Sequence, residues 1–216
     1  MKLTNTNVVH EDGVKMLVYG ASGSGKTTLI KTANNPIIIS SESGLLSLAD
    51  CDIPVIEIKT EADLKEAYEY TMASDHSFIC LDSLSDIAET LLEEYKGKFT
   101  DGRQAYGKLG DVIGKYVRKF RNIKGKHVYI TAKEGRNESN GVVVSAPMMP
   151  GTSLTNNIPY AFDLLLRLES NKKGERKLHT AASFTQVCKD RSNKLDKTED
   201  ADLTHIVSKI TGSKKA

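Results

Sequence analysis

Gly20-Ala21-Ser22-Gly23-Ser24-Gly25-Lys26-Thr27 is the stretch that decides how this chain reads. Its spacing is G-x-x-x-x-G-K-[ST], in which backbone N–H groups turn inward around phosphate oxygens and the lysine reaches the same charge. Glycines at 20, 23 and 25 permit positive φ and leave no side chain in the way of a phosphate. The motif requires a strand before it and a helix after it. Val14 to Tyr19 is a short β-rich run, and Thr28 to Ala33 can continue as a helix whose positive end faces the phosphate. Gly20, Ala21, Ser22, Gly23, Ser24, Gly25, Lys26, Thr27 and Thr28 are therefore the expected nucleotide-binding residues, with ATP as the ligand.

Working outward, apolar runs alternate with amphipathic ones. Pro36 to Ser40, Val55 to Ile58, Phe78 to Leu81 and His127 to Thr131 read as strands. Thr60 with Asp63, and Ser83 with Asp86, have the spacing of helix-capping pairs. The stripe Leu84, Ile87, Ala88, Leu91, Leu92, Tyr95 recurs at helical spacing, as does Leu109, Val112, Ile113, Tyr116, Val117, Phe120. Residues 96–104 between them read as a loop. Such alternation predicts a parallel sheet covered by helices on both faces. Beyond residue 133 the pattern changes. Asn140-Gly141 before Val142-Val143-Val144 signals a hairpin, within a segment, 133–157, expected to be flexible. Asp163 to Leu168 and Lys177 to Phe184 read as strands around a turn at Asn171 to Gly174, and a helix is expected near Asp202 to Ile210. The expected fold is a three-layer α/β/α P-loop architecture with a mainly parallel central sheet and β-hairpin additions in the C-terminal third. One domain spans 1–216, with its core at about 14–210 and a frayed tail at 211–216.

The chemistry follows from the loop. Lys26 is placed to contact the β- and γ-phosphates and the Thr27 hydroxyl to ligate Mg²⁺. Mg²⁺ needs further oxygen ligands, and Asp82, at the end of the apolar strand Phe78 to Leu81, is the candidate. Hydrolysis also needs a group to orient or deprotonate water; Glu42, just after the strand Pro36 to Ser40, is placed for it or is an exposed loop acid.

Three features stand together: residues 20–28, a second strand followed by Ser41-Glu42, and Ile79-Cys80-Leu81-Asp82-Ser83. They resemble the RecA-like recombinase core, and the chain is more specifically similar to the short RecA-like ATPases of bacteriophages that act in single-strand annealing and recombination. Further points of similarity are Gln104 to Gly107, Val128 to Lys133, Pro150-Gly151 ahead of Ala161 to Asp163, and Lys189 to Ser192. The resemblance implies that Glu42 activates water. It makes Thr131 and Lys133 candidate sensors of the γ-phosphate. It makes Lys189 and Arg191 catalytic finger residues that reach a neighbouring subunit's ATP, in a homo-oligomer with ATP sites at its interfaces. It puts a DNA-contacting loop at 133–157, with Lys133, Arg136, Asn137, Asn140 and Asn156 as candidate contacts to single-stranded DNA. A single-strand-binding protein is the implied partner, and the implied setting is the cytoplasm, that of the host if phage-encoded. Unlike a full RecA, the chain shows no polymerising arm and no separate C-terminal domain, and residues 133–157 hold no aromatic side chain.

The implied function is an ATP-hydrolysing DNA recombination protein that binds single strands and promotes annealing or pairing. Two alternatives stand beside it: a small P-loop kinase, against which no arginine-rich lid follows the sensor strand, and a non-hydrolysing regulatory module that uses ATP as a structural ligand.

Composition narrows the rest. The 216 residues include 39% hydrophobic side chains, enough for a core, and no stretch near the ~20 apolar residues that span a membrane. Cys51, Cys80 and Cys188 are too scattered for a zinc site or a disulfide framework. Net charge is +2, but residues 95–135 hold 11 basic against 3 acidic side chains, whereas residues 1–94 hold 6 against 16. That basic block is either a polyanion-binding face or a solvated helix surface.

Overall fold

The computed structural model describes residues 13–42, 44–139 and 141–212, with the backbone alone at residue 139. Along these residues the strands are β1 (Lys15–Gly20), β2 (Pro36–Ser40), β3 (Val55–Glu57), β4 (Phe78–Leu81), β5 (His127–Ser139), β6 (Val142–Met148), β7 (Leu164–Ser170), β8 (Arg176–His179), β9 (Lys189–Asp190) and β10 (Thr198–Asp200). The α-helices are α1 (Lys26–Leu29), α2 (Glu61–Ala73), α3 (Leu84–Lys98), α4 (Gly102–Arg121), α5 (Thr152–Asn157) and α6 (Leu203–Thr211).

The strands form one sheet in the order β10-β8-β7-β1-β5-β4-β2-β3, with β6 on β5 and β9 on β7. From β7 to β3 every pairing is parallel; β8, β10, β6 and β9 join antiparallel. Strand period splits the core in two. Leu17, Tyr19, Ile37, Ile39, Ile79, Leu81, Val128 and Ile130 face α2, α3 and α4. Met16, Val18, Ile38, Cys80 and Tyr129 face the opposite way, toward Leu29 and Ile30 and the α6 residues Leu203, Ile206 and Ile210. The fold is thus the expected three-layer α/β/α class.

Local signals account for most of the boundaries. Thr60 accepts from the Asp63 amide while the Asp63 carboxylate accepts from the Thr60 amide, so α2 starts in a capping box. Ser83 accepts from the Asp86 amide at 3.2 Å and starts α3. Both predicted helical stripes are buried in full. The loop expected at 96–104 shrinks to three residues, because α3 runs to Lys98 and the Asp101 carboxylate caps α4 by accepting from the Arg103 amide at 2.9 Å.

Other boundaries moved. The helix expected through Ala33 is α-helical only over Lys26–Leu29 and tightens into a 3₁₀ turn at Ile30–Thr32. There the Thr32 hydroxyl donates back to the Leu29 carbonyl at 2.7 Å and accepts from the Leu203 amide at 2.8 Å, so its bonds go to α6 rather than to a longer helix. The segment expected to be a flexible loop is regular: β5 and β6 pair from Lys133↔Met148 to Ser139↔Val142. The strand expected over Lys177 to Phe184 stops at His179, where the Thr180 hydroxyl turns to the Asp196 carbonyl. The tail residues 213–216 and Asn140 lie outside the described residues.

Candidate functional site

The parallel order puts the C-terminal ends of β1, β2, β4 and β5 at one edge, where α/β sheets hold ligands. A cavity of about 540 Å³ opens there, lined among others by Gly25, Lys26, Thr27, Glu42, Asp82 and Asp86. The loop after β1 forms one wall. Gly25 has φ +97° and Gly23 +75°, as the motif requires, whereas Gly20 needs no positive φ. Gly20 is glycine for space: a Cβ there would lie 2.4 Å from the Leu168 carbonyl oxygen. Tyr129, fully buried on β5, donates its hydroxyl to the Lys26 carbonyl at 2.8 Å and pins the first turn of α1.

Lys26 folds back over the loop, donating to the Gly20 carbonyl at 2.7 Å and to the Ala21 carbonyl at 3.1 Å. Burial holds its ammonium below the usual lysine range, against the opposing pull of Asp82, Glu134, Asp86 and Glu42. A desolvated ammonium bonded only to neutral carbonyls is suited to receive a phosphate.

Asp82 is fixed by two hydroxyls. It is 6% exposed, accepts from the Thr27 hydroxyl at 2.6 Å on one oxygen and from the Thr131 hydroxyl at 2.5 Å on the other. Ser40 donates to the Asp82 carbonyl at 2.6 Å, and the Asp82–Ser83 peptide is cis. Thr27 and Asp82 thus present a hydroxyl and a carboxylate side by side, an oxygen set that fits Mg²⁺ with its remaining positions left to water and phosphate. No closed cage of three or more His, Cys, Asp or Glu side chains occurs among the described residues.

Glu42 stands at the cavity mouth and hydrogen-bonds to Asp86. Partial desolvation, then the bond to and charge of Asp86, push its carboxyl above the ordinary glutamate range. Asp86 moves the other way: burial opposes ionisation, but bonds from Lys133 and Ser83 outweigh it. The two neighbouring carboxyls thus shift in opposite directions.

A second depression of about 430 Å³ is lined by Asn137, Asn156, Tyr160, Lys189 and Arg191 among others. Two candidate DNA contacts and both candidate finger residues therefore share one groove, separate from the residues that line the phosphate-loop cavity. Lys189 donates to the Pro159 carbonyl at 3.0 Å, and burial holds its ammonium below the usual range. Arg191 pairs with Asp163 at 3.3 Å. Tyr160, 75% exposed, supplies an aromatic ring that the hairpin itself lacks.

The model of the AAA domain family matches residues 12–192.

The chain belongs to the AAA domain family.

The match includes every residue of the phosphate loop together with Glu42, Asp82, Lys189 and Arg191. A search of curated proteins found no match. Among solved structures, the KaiC-like protein PH0186 from the hyperthermophilic archaeon Pyrococcus horikoshii OT3 is similar at 17% identity over 78% of each chain, with a TM-score of 0.46.

The two expected sensors, Thr131 and Lys133, each bond to an acid of the site. Thr131 is fully buried and gives its hydroxyl to Asp82, so it positions the acid. Lys133 pairs with Asp86 at 2.6 Å and with Glu89 at 2.7 Å and lines the phosphate-loop cavity. Its backbone stays at the loop, in register with Gly20. Arg136 and Asn137 are exposed on the hairpin. The basic face of α4 also has internal work: Lys119 lies 4.7 Å from the Tyr68 ring centre, Lys115 lies 5.6 Å from that of Tyr116, and Lys108 pairs with Glu61 at 2.9 Å. Sequence reading placed Asp86 only as a helix cap and passed over Ser40 and Glu134. Asp86 lies four residues after Asp82, in the first turn of α3, a spacing visible in the sequence; Glu134 had no such signal. Its side chain is 3% exposed and accepts from the Ser145 hydroxyl at 2.7 Å, a partner from the facing strand.

Proposed function

We propose that this chain is a Mg²⁺-dependent ATPase whose turnover is coupled to single-stranded DNA. The observation that carries the reading is one cavity holding Lys26, Thr27, Asp82 and Glu42 together. Lys26 and the loop amides bind the phosphates. Thr27 and Asp82 hold the metal, which supplies charge neutralisation at the transferring phosphoryl group. Glu42 takes the proton of the attacking water, and its raised proton affinity suits that task.

The DNA half of the proposal rests on the groove of Asn137, Asn156, Tyr160, Lys189 and Arg191. Amide and cationic side chains suit phosphate and sugar, and the exposed ring suits stacking on a base. Lys189 and Arg191 also serve as fingers completing a neighbour's ATP site in a homo-oligomer. One surface then senses DNA and acts on the adjacent nucleotide. Annealing or pairing of strands in recombination is the use to which such coupling is put.

ATP turnover measured with and without single-stranded DNA over a salt series tests this. Stimulation that fades steeply as salt rises is expected, because phosphate contacts release counterions. Equal rates with and without DNA at low salt would remove the DNA function and leave the ATPase standing.

A further inference from the structure

Arg176 opens β8, and its backbone is in register with Ser170 on β7, the strand that flanks β1. The antiparallel return brings the guanidinium back over the phosphate loop. A Cβ on Gly25 would fall 2.3 Å from its Nε and 2.7 Å from its Cζ. The same side chain lines the cavity of Lys26, Thr27, Glu42 and Asp82.

A cation in this position needs an explanation. The cavity is also lined by Glu42, Asp82, Asp86 and Glu134, yet none of these carboxylates bonds the guanidinium, and the Lys26 ammonium shares the space. The neighbouring basic groups are all engaged. Lys133 is paired with Asp86 and Glu89, and Arg167 lies 3.4 Å from Glu134. Lys26 donates to two carbonyls. The Arg176 side chain has no hydrogen bond or ion pair among the described residues. An unpaired guanidinium laid against a ring of amide donors, with an ammonium beside it, is completed by an anion that all three can share.

We propose that Arg176 is a nucleotide-binding residue acting within its own chain, gripping the α- and β-phosphates beside Gly25. Gly25 belongs to the backbone stretch that cradles those phosphates, whereas Thr27, Asp82 and Glu42 surround the γ end. The planar fork of arginine can take two phosphate oxygens at once, which a lysine cannot. The contact is made equally to ATP and ADP, so it acts on binding and leaves the chemical step to Glu42. This inference rests on the reading of residues 20–28 as a nucleotide site.

Calorimetric titration of ATP and of ADP, each with Mg²⁺, into the wild-type chain, Arg176→Ala, Arg176→Lys and Lys26→Ala tests both levels. Arg176→Ala is expected to weaken ATP and ADP by about tenfold each, the loss of one charge-assisted contact, with Arg176→Lys recovering part of it. Its thermal midpoint without nucleotide is expected to match wild type, which keeps a folding defect apart from a lost contact. Unchanged affinity for both nucleotides, or a loss confined to ATP, would overturn the assignment. Wild-type protein that binds neither nucleotide would instead sink the loop reading, and this inference with it.

Discussion

Asp82 holds the site together through two hydroxyls, one from the phosphate loop and one from β5. Replacing it with Asn keeps the shape and one acceptor but removes the charge that a divalent cation requires. Asp82→Asn is expected to weaken Mg²⁺-ATP binding by about tenfold or more while leaving metal-free nucleotide affinity near wild type; titrations with Mg²⁺ and with chelator separate the two. A second residue governs acid stability. His127 is half-buried, accepts from the Val14 amide at 3.0 Å through Nδ1, and is pushed down to about 4 by burial and then by Lys15. The unfolded chain binds a proton to this ring near pH 6.5 and the folded chain does not, so stability is present above that pH and is lost as pH falls toward 4. Between pH 7 and pH 5 the His127 contribution is expected to fall by about 2 kcal/mol. Denaturant unfolding of wild type against His127→Gln at the two pH values checks it: a variant with the same pH slope as wild type would contradict the assignment.

At the scale of elements, α4 is held by its apolar stripe. Phe120 is fully buried, in edge contact with Tyr68 at 5.4 Å. Phe120→Ala is expected to cost about 3–5 kcal/mol, read as a lower denaturant midpoint at unchanged slope. Lys115→Ala on the solvent side is expected to cost less than about 1 kcal/mol. The stripes of α3 and α4, the capping residues Thr60 and Ser83 and the strands β2 and β4 were legible in the sequence because each is set by local spacing. The length of α1, the reach of the 133–148 hairpin and the end of β8 were not. Each is decided by a partner far along the chain: Leu203 for Thr32, Met148 for Lys133, Asp196 for Thr180. The same divide runs through the site. Lys26, Thr27, Asp82 and Glu42 follow from motif and strand position. The direction in which Thr131 and Lys133 spend their polar atoms depends on β4 and α3, and Arg176 reaches Gly25 only because β8 returns antiparallel to β7.

Taken whole, the molecule is a sheet whose one edge carries the phosphate-loop cavity and whose hairpin side carries a polar groove with one exposed aromatic ring. The central claim is that the first of these turns over ATP with Glu42 as the base. The most direct measurement is the steady-state rate of phosphate release from Mg²⁺-ATP by wild type and by Glu42→Gln, with ATP affinity taken on the same samples. The expected result is a hydrolysing wild type and a variant that binds ATP as tightly but turns over about a hundredfold slower or less. A Glu42→Gln chain that hydrolyses at the wild-type rate, or a wild type that retains no ATP, would contradict it.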